Sequence, residues 1–182
     1  MGAMHPTPAH SLTLEELADW TRRVADEVHR GEHEISADAD ERWHVRVHCD
    51  DQVDVWLISW TADQGTELHD HGGSAGAFTV VQGRLTETAW AGGVAPSREG
   101  ARSRREGHLV DLTREAGETS VFGGHYVHDV RNVDGEVAVS VHAYSPPLSR
   151  MHYYTVETGR LVRRASLWTD DPEASAPAQE AS

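Results

Sequence analysis

Apolar residues recur at helical spacing near the start of the chain, where they predict one long helix. Between residues 11 and 30 leucine, tryptophan, alanine and valine side chains return every three or four positions. Thr13, followed three residues later by Glu16, matches a capping box, which marks the start of a helix. Gly31 is suited to follow its last turn, because glycine adopts the left-handed conformation common there. No other stretch of the sequence predicts a long helix as clearly.

From Trp43 onward the pattern changes to short apolar or alternating segments, which predict strands. Short polar or glycine-containing turns separate these segments, as at Gln82 and Gly83. The predicted strands are WHVRVHC, VDVWLISW, AFTVV, RLTETAW, HLVDLT, SVFGG, YVHDVRNV, VAVSVHAYS, HYYTV and RLVRRASLW. Many short strands at such intervals indicate an all-β sandwich or barrel.

Length and composition favour a single globular domain. The chain has 182 residues, 38% hydrophobic and 25% charged, which is typical of one folded domain. We expect residues 11–168 to form this domain and residues 1–10 to be disordered. Residues 91–107 are expected to form a loop. Residues 169–182 are acidic and rich in Ala, Pro and Ser, so they predict a disordered tail.

Charge and cysteine content exclude several classes of partner and suggest a compartment. The net charge of −14 argues against nucleic acid, whose binders usually present a basic face, and against anionic membranes. No apolar run approaches the roughly 20 residues of a membrane-spanning helix. Cys49 is the single cysteine, so an internal disulfide is impossible, which fits a reducing cytoplasm. We expect a cytoplasmic monomer or weak homo-oligomer.

Two histidines one residue apart, His69 and His71, are candidates for a metal site. With 13 histidines in 182 residues, one such pair is expected about once by chance, so the pair alone proves nothing. On a strand the two side chains would point to the same face, and Asp70 would point away. A third ligand could come from His125 or His128. These are three residues apart and would face opposite sides of a strand, so only one of them is expected to join the pair.

The surroundings of this pair resemble the first motif of the cupin superfamily. Cupins place a glycine before H-x-H, then usually a glutamate, and then a glycine seven residues further on. Gly65, His69, His71 and Gly83 occupy the matching places, whereas Gly76 stands where the glutamate usually lies.

A later segment resembles the second cupin motif. His128 and Asn132 match its histidine and its asparagine four residues later, and His125 replaces the expected glycine. This resemblance selects His128 as the third ligand and leaves His125 at the rim of the site.

A cupin with three histidines and no glutamate is similar to the thiol dioxygenases, and above all to cysteine dioxygenase type I. The segment SVHAYSPP strengthens the resemblance, because Ser140, His142 and Tyr144 alternate and so share one face of a strand. The resemblance implies a small cupin, which is a jelly-roll-like β-barrel, with the N-terminal α-helix added. It also implies an iron(II) cofactor, Fe(2+), and the oxidation of L-cysteine by O2 to cysteine sulfinic acid. The implied metal ligands are His69, His71 and His128.

The same resemblance assigns roles around the metal. A metal held by three neutral imidazoles keeps its double positive charge, which suits an anionic ligand such as a thiolate. The substrate carboxylate needs a cation, and Arg42 and Arg46 lie in the preceding segment. The family pattern favours Arg46, with His44 where a tyrosine often stands. Tyr144, oriented by His142, would hydrogen-bond the bound substrate or oxygen.

In some relatives that tyrosine is crosslinked to a cysteine, and the matching position in this chain is Gly76. Cys49 lies in a different segment, so no crosslink is expected.

Two other functions stay open at this point. One is a dioxygenase for another small thiol acid such as 3-mercaptopropionate, whose relatives tend to carry glutamine where Arg46 stands. The other is a non-catalytic cupin that binds a metal or a small ligand. The polar row of Ser140, His142 and Tyr144 argues against that passive role. Three histidines also bind zinc, nickel or copper, so the sequence does not fix the metal.

Overall fold

A computed structural model describes residues 11–92 and 106–177 of the chain. The predicted disorder of residues 1–10 and most of the predicted loop at 91–107 lie outside these ranges. Helix α1 spans Leu14–His29, and the capping box predicted for its start is present. The Glu16 N–H donates to Thr13 Oγ1 at 3.2 Å, and the Thr13 N–H donates to Glu16 Oε2 at 2.8 Å. No helix in the described ranges is long and apolar enough to span a membrane.

Eleven strands follow within the described residues. Their bounds are β1 His44–Cys49, β2 Asp54–Trp60, β3 His69–Asp70, β4 Ala75–Gln82, β5 Arg84–Gly92, β6 Gly107–Glu115, β7 Thr119–Phe122, β8 His128–Arg131, β9 Ala138–Ser145, β10 Arg150–Glu157 and β11 Arg160–Trp168. They form a five-stranded sheet in the order β1-β2-β9-β4-β7 and a six-stranded sheet in the order β11-β10-β3-β8-β5-β6. Every pairing between neighbours is antiparallel. The predicted all-β fold with one N-terminal helix is confirmed.

The five-stranded sheet is covered on both faces, which explains why two of its central strands are buried along their whole length. One face packs against the six-stranded sheet around Trp60, Phe78 and Leu85. The other face packs against α1, where Leu17 and Val24 join a second apolar cluster. β2 and β9 are buried at every position, because residues of both orientations meet apolar neighbours. Sheets covered on two faces lose the simple alternation of apolar and polar residues.

The short strand β3 brings the candidate site together between the sheets. It pairs with β8, where His69 lies opposite His128, and with β10 on its other side. From the facing sheet, β9 presents alternate residues toward the same interior, and Tyr144 lies opposite Gly76 of β4. Residues distant in the sequence therefore meet at one end of the interior.

The chain after β11, residues 169–177, packs against the domain. We call this segment the C-terminal strap. Its Thr169 N–H donates to the Ser149 carbonyl at 3.1 Å, and the Tyr153 hydroxyl donates to the Ala174 carbonyl. Pro172 is buried. Its acidic residues meet basic side chains of the domain, a pairing that composition alone does not show.

Candidate metal centre

Three buried histidines converge between the two sheets. His69 lies on β3, His71 directly follows it, and His128 begins β8. One ring nitrogen from each residue lies within 4.8 Å of the others, and the Nε2 atoms of His69 and His71 are 3.2 Å apart. Each side chain is at most 3% exposed. The structure thus brings together the three histidines that the sequence predicts as ligands, and His125 is exposed outside the cluster.

Hydrogen bonds at the outer nitrogens fit these rings to a metal. The Nδ1 of His69 lies 2.7 Å from the Glu67 carbonyl, which can only accept, so that nitrogen carries the proton. The Nδ1 of His128 lies 2.9 Å from the carboxylate of Glu87. The inward-facing nitrogens of both rings therefore keep their lone pairs for a ligand role. A partner on the outer nitrogen is the usual arrangement for metal-binding histidines.

Burial favours the uncharged form of two of these histidines, His69 and His71. It lowers the pKa of His69 to about 3, helped by neighbouring His128, and lowers that of His71 well below its ordinary value. Neutral imidazoles are the form that binds a metal. No described carboxylate joins the three nitrogens, so the donor set suits a first-row transition metal rather than calcium or magnesium.

Glu87 is a residue of the site that the sequence reasoning missed. It is fully buried on β5 and holds His128 through one oxygen and Arg114 through the other, at 2.6 Å from Nη2. The Ser120 hydroxyl adds a bond at 3.2 Å. Burial alone would raise the pKa of Glu87, but His128 and Arg114 lower it to about 2. In sequence the residue looked like one polar position of an alternating strand, with no signal of its partners.

Asp70 points away from the three nitrogens, as the sequence predicts, and anchors the short strand. It accepts hydrogen bonds from the Tyr154 hydroxyl at 2.6 Å and the Gly72 N–H at 2.8 Å, and it lies 2.8 Å from His152 Nδ1. Burial opposes its charge, yet these partners lower the pKa of Asp70 overall. The segment that carries the two histidines is therefore fixed from behind.

The polar row of β9 forms one chain of hydrogen bonds that ends at Tyr144, beside the three histidines. The Trp60 Nε1–H, which can only donate, reaches Ser140 Oγ at 2.8 Å. Ser140 Oγ lies 2.8 Å from His142 Nε2, and His142 Nδ1 lies 3.4 Å from the Tyr144 oxygen. The Tyr144 ring is 4.7 Å from the His71 ring, centre to centre. The sequence predicted the row itself, and the structure adds Trp60 to it.

These partners set the direction of every proton in the row. Because Ser140 accepts from Trp60, its own hydroxyl donates to His142 Nε2. Burial lowers the pKa of His142 to about 3, so the ring is neutral and its one proton lies on Nδ1, facing Tyr144. The Tyr144 oxygen then accepts, and its hydroxyl proton is free to donate into the site. Burial also raises the pKa of Tyr144, which keeps that proton in place.

Gly76 leaves no empty space where a cupin glutamate would stand. A Cβ there would lie 2.4 Å from Cε2 of Phe122, and that ring stacks on His71 at 5.0 Å. An aromatic ring from β7 therefore fills the place of the missing acid. Cys49 is exposed on β1, two strands across the sheet from Tyr144, because it lies opposite Asp54 and Asp54 lies opposite Tyr144.

The structure places the two candidate arginines differently from the sequence prediction. Arg46 stands at the rim, with its guanidinium 4.4 Å from the Trp56 ring and 2.8 Å from Asp170 of the strap. Arg42 lies deeper, 4.8 Å from the Trp60 ring, and forms an ion pair with Glu173. The family pattern favoured Arg46 because of its spacing to a tyrosine-like position. Arg42 is buried more deeply than Arg46 and so lies closer to the histidines, and the spacing of residues in the sequence does not indicate such depth.

His44 is half-buried and lies between the two arginines along the chain. Its Nε2 is 3.3 Å from Asp171 of the strap. His44 and Arg46, which the sequence predicted for substrate binding, and the other candidate Arg42 therefore each face an acidic residue of the strap.

A small cavity adjoins the three histidines. Its volume is about 10 Å³, which is room for roughly one water molecule. His142 and Tyr144 line it on one side, and Pro172 and Glu173 of the strap close another. A wider opening of about 450 Å³ lies outside this closure, beside Arg42 and His44.

Comparison with known proteins identifies the family. A family model described as cysteine dioxygenase type I matches residues 24–157, about three quarters of the chain. The chain belongs to the cysteine dioxygenase type I family. Together with the two antiparallel sheets and the single helix, this membership confirms the predicted fold class, a small cupin barrel with an N-terminal helix.

Curated members of the cysteine dioxygenase family match part of the chain. Cysteine dioxygenase type 1 of Homo sapiens is 30% identical over 113 residues, which are 59% of this chain and 52% of that protein. The Danio rerio protein is 28% identical over 108 residues, with the same shares covered. The chain thus spans about half the length of the curated relatives it matches.

Solved structures with a similar fold were also found. The protein TT1209 of Thermus thermophilus has a TM-score of 0.49 and 13% identity, over 62% of this chain and 90% of its own. An rmlC-like cupin protein of Desulfovibrio desulfuricans has a TM-score of 0.45 and 16% identity, over 63% of this chain and 91% of its own.

Proposed function

We propose that the protein is an iron(II)-dependent thiol dioxygenase that oxidises L-cysteine to cysteine sulfinic acid. One thiol and one O2 give one sulfinic acid, so both oxygen atoms go to sulfur and no further reductant is needed. The observation that supports this most is the cluster of three buried histidines with no described carboxylate among them, beside the Tyr144 ring. Iron(II), when bound by His69, His71 and His128, would supply the redox chemistry that joins oxygen to sulfur.

The residues around the histidines have definable tasks in this reaction. Tyr144 offers a proton into the site from an oxygen held by His142, so it can hydrogen-bond a bound ligand or developing negative charge. Ser140 and Trp60 keep His142 in the tautomer that this requires. Because the row is buried and its groups are paired with one another, these tasks need no rearrangement during the reaction.

The basic residues at the mouth suit a carboxylate. Arg42 and Arg46 are two of the arginines there, with His44 between them along the chain. An arginine pairs with a carboxylate through two parallel hydrogen bonds, which also fixes orientation. A small amino acid with a thiol could thus present its sulfur to the histidines and its carboxylate to the mouth.

Metal analysis and oxygen uptake together test the proposal. The purified protein should bind iron(II) and consume oxygen with L-cysteine, producing cysteine sulfinic acid in equal amount. Zinc as the resident metal, with no thiol-dependent oxygen uptake, would instead favour a non-catalytic metal-binding cupin. The closed cavity, with room for about one water, is the observation that favours this alternative.

A second thiol acid is the alternative closest in chemistry, since the basic mouth recognises a carboxylate whichever thiol carries it. Strong uptake with 3-mercaptopropionate and none with L-cysteine would retain a thiol dioxygenase and reject cysteine as substrate. Comparing Arg46→Gln with the parent on both thiols shows whether Arg46 sets that preference.

A further inference from the structure

Acidic residues of the C-terminal strap lie one by one against the basic residues at the mouth of the metal centre. Asp170 pairs with Arg46 at 2.8 Å, and Asp171 lies 3.3 Å from His44. A third acid, Glu173, pairs with Arg42. The strap thus runs antiparallel to residues 42–46 and satisfies their charges in order. This match is specific to the strap, because the protein as a whole is strongly acidic and would otherwise repel an acidic segment.

The innermost of these contacts, Arg42 with Glu173, is the most buried. The side chains are 14% and 6% exposed, against 30% and 72% for Arg46 and Asp170. Arg42 also donates to the Gly65 carbonyl and lies over the Trp60 ring. Burial lowers the pKa of Arg42 to about 10, so it remains a cation near neutral pH. A buried cation needs an anionic partner, and Glu173 supplies it.

The same carboxylate closes the metal centre. Glu173 and Pro172 line the cavity beside His69, and Glu173 and Arg42 also line the space immediately outside it. The cavity left behind the strap has a volume of about 10 Å³, which holds about one water and no amino acid. A ligand of the three histidines larger than water therefore requires the strap to move.

We propose that Arg42 is the carboxylate-binding residue of the metal centre and that Glu173 is its internal occupant, which an incoming ligand's carboxylate displaces. This inference rests on the proposed function. Exchange of one carboxylate for another keeps Arg42 paired throughout, so opening costs little in electrostatic energy. A thiol without a carboxylate would have to leave a buried cation unpaired, and unpaired buried charges are strongly disfavoured. The strap thereby selects small thiols that carry a carboxylate.

Hydrogen–deuterium exchange of the strap amides tests this directly. Iron(II)-loaded protein is kept without oxygen, so that no turnover occurs, and exchange at residues 169–176 is followed. L-Cysteine should speed this exchange about tenfold or more, whereas 2-aminoethanethiol, which has the same thiol and amine but no carboxylate, should leave it unchanged. Unchanged exchange with L-cysteine, or equal acceleration by both thiols, would overturn the proposal.

Two substitutions distinguish the role of Glu173, the internal occupant, from that of Arg42, the carboxylate-binding residue. Glu173→Gln should release the strap without any ligand and lower the KM for L-cysteine several-fold. Arg42→Gln should also release it but raise the KM about tenfold or more, since it removes the partner of the substrate carboxylate. Glu115→Gln, which removes a comparable but exposed pair with Arg84 elsewhere, should alter neither the strap nor the KM.

The outcomes distinguish this inference from the proposed function. Oxygen uptake with L-cysteine, combined with a strap that does not respond to L-cysteine, overturns the strap inference and leaves the dioxygenase in place. Absence of uptake with any thiol removes the proposed function, and the inference that rests on it falls as well. Release of the strap in Glu173→Gln, which needs neither metal nor thiol, would then still establish the contact itself.

Discussion

Glu87 shows how a single buried residue can govern the metal centre without touching the metal. Its carboxylate fixes the ring of His128 and is held in turn by Arg114 and Ser120. We predict that Glu87→Gln lowers metal affinity about 10- to 100-fold, because the outer partner of a metal-binding histidine sets its orientation and basicity. Competition with a chelator of known affinity measures the change.

The neighbouring Ser120→Ala is the matched control for that change, since it removes one hydrogen bond to Glu87 and leaves the carboxylate on His128. It should alter metal affinity by much less. Equal affinities for the parent and Glu87→Gln would show that the packing around His128 orients the ring without help from the carboxylate.

Tyr144 is the residue whose single proton faces the site, so its hydroxyl can be tested by deletion. Tyr144→Phe keeps the ring against His71 and removes only the donor. For the proposed reaction we expect kcat to fall about 100-fold or more, in the range typical of a positioned donor. Metal content should stay unchanged. Steady-state oxygen uptake with iron content measured on the same sample checks both, and an unaltered kcat would remove Tyr144 from the reaction.

Packing between two strands decides what position 76 can hold. Gly76 on β4 lies opposite Phe122 on β7, and a Cβ at position 76 would come 2.4 Å from the Phe122 ring and 3.1 Å from the Ala143 carbonyl. We predict that Gly76→Ala lowers the free energy of unfolding by about 1–3 kcal/mol, because well-packed interiors resist added methyl groups. Urea unfolding measures it.

Gly123, which directly follows β7, provides the control for Gly76. Nothing lies within 4 Å of a Cβ placed there, and its backbone needs no left-handed conformation. Gly123→Ala should change the free energy of unfolding by less than about 1 kcal/mol. This range includes the small gain expected because alanine reduces the conformational entropy of the unfolded chain. A loss of stability in Gly76→Ala no larger than that in Gly123→Ala would mean that the Phe122 ring moves aside easily. Packing would then not explain why position 76 lacks the usual glutamate.

At the scale of whole elements, local signals in the sequence predict the helix and the strands. The capping residues and apolar face of α1 are local signals, and they place its start correctly. Short strands separated by turns are local as well. The packing of the C-terminal strap depends instead on pairing with residues 42–46, which lie more than a hundred positions earlier, so no local signal indicates it.

For the whole molecule, buried histidines make the metal-free protein sensitive to mild acid. The pKa values of His69 and His142 fall to about 3 in the fold, whereas an unfolded histidine titrates near its ordinary value of 6.5. Below pH 6.5 these histidines therefore bind protons in the unfolded chain but not in the folded protein, so the free energy of unfolding falls as the pH drops toward 3. Each such histidine contributes a slope of up to about 1.4 kcal/mol per pH unit.

Glu87 adds to this loss at lower pH, because its pKa of about 2 lies below the ordinary 4.5 and its contribution disappears between those values. Urea midpoints of metal-free protein at several pH values below neutrality measure the slope. His142→Gln should make it shallower, whereas His125→Gln, at an exposed position, should not. A flat profile in the parent would contradict neutral histidines in the fold.

The sequence by itself determined the helix, the series of strands, the pair of His69 and His71, and the polar row of Ser140, His142 and Tyr144, whereas only the family resemblance selected His128 over His125. All of these follow from spacing, because residues at fixed intervals on one element share a face. The resemblance of these motifs also indicated the family before any geometry was known.

Only the tertiary structure revealed Glu87 behind His128, Trp60 behind Ser140, Phe122 in the space beside Gly76, and Glu173 on Arg42. Each of these partners comes from a different element, so its distance from the site is set by how the two sheets and the strap pack, and no interval along the chain records it. The same reason explains why spacing favoured Arg46 whereas depth in the fold favours Arg42.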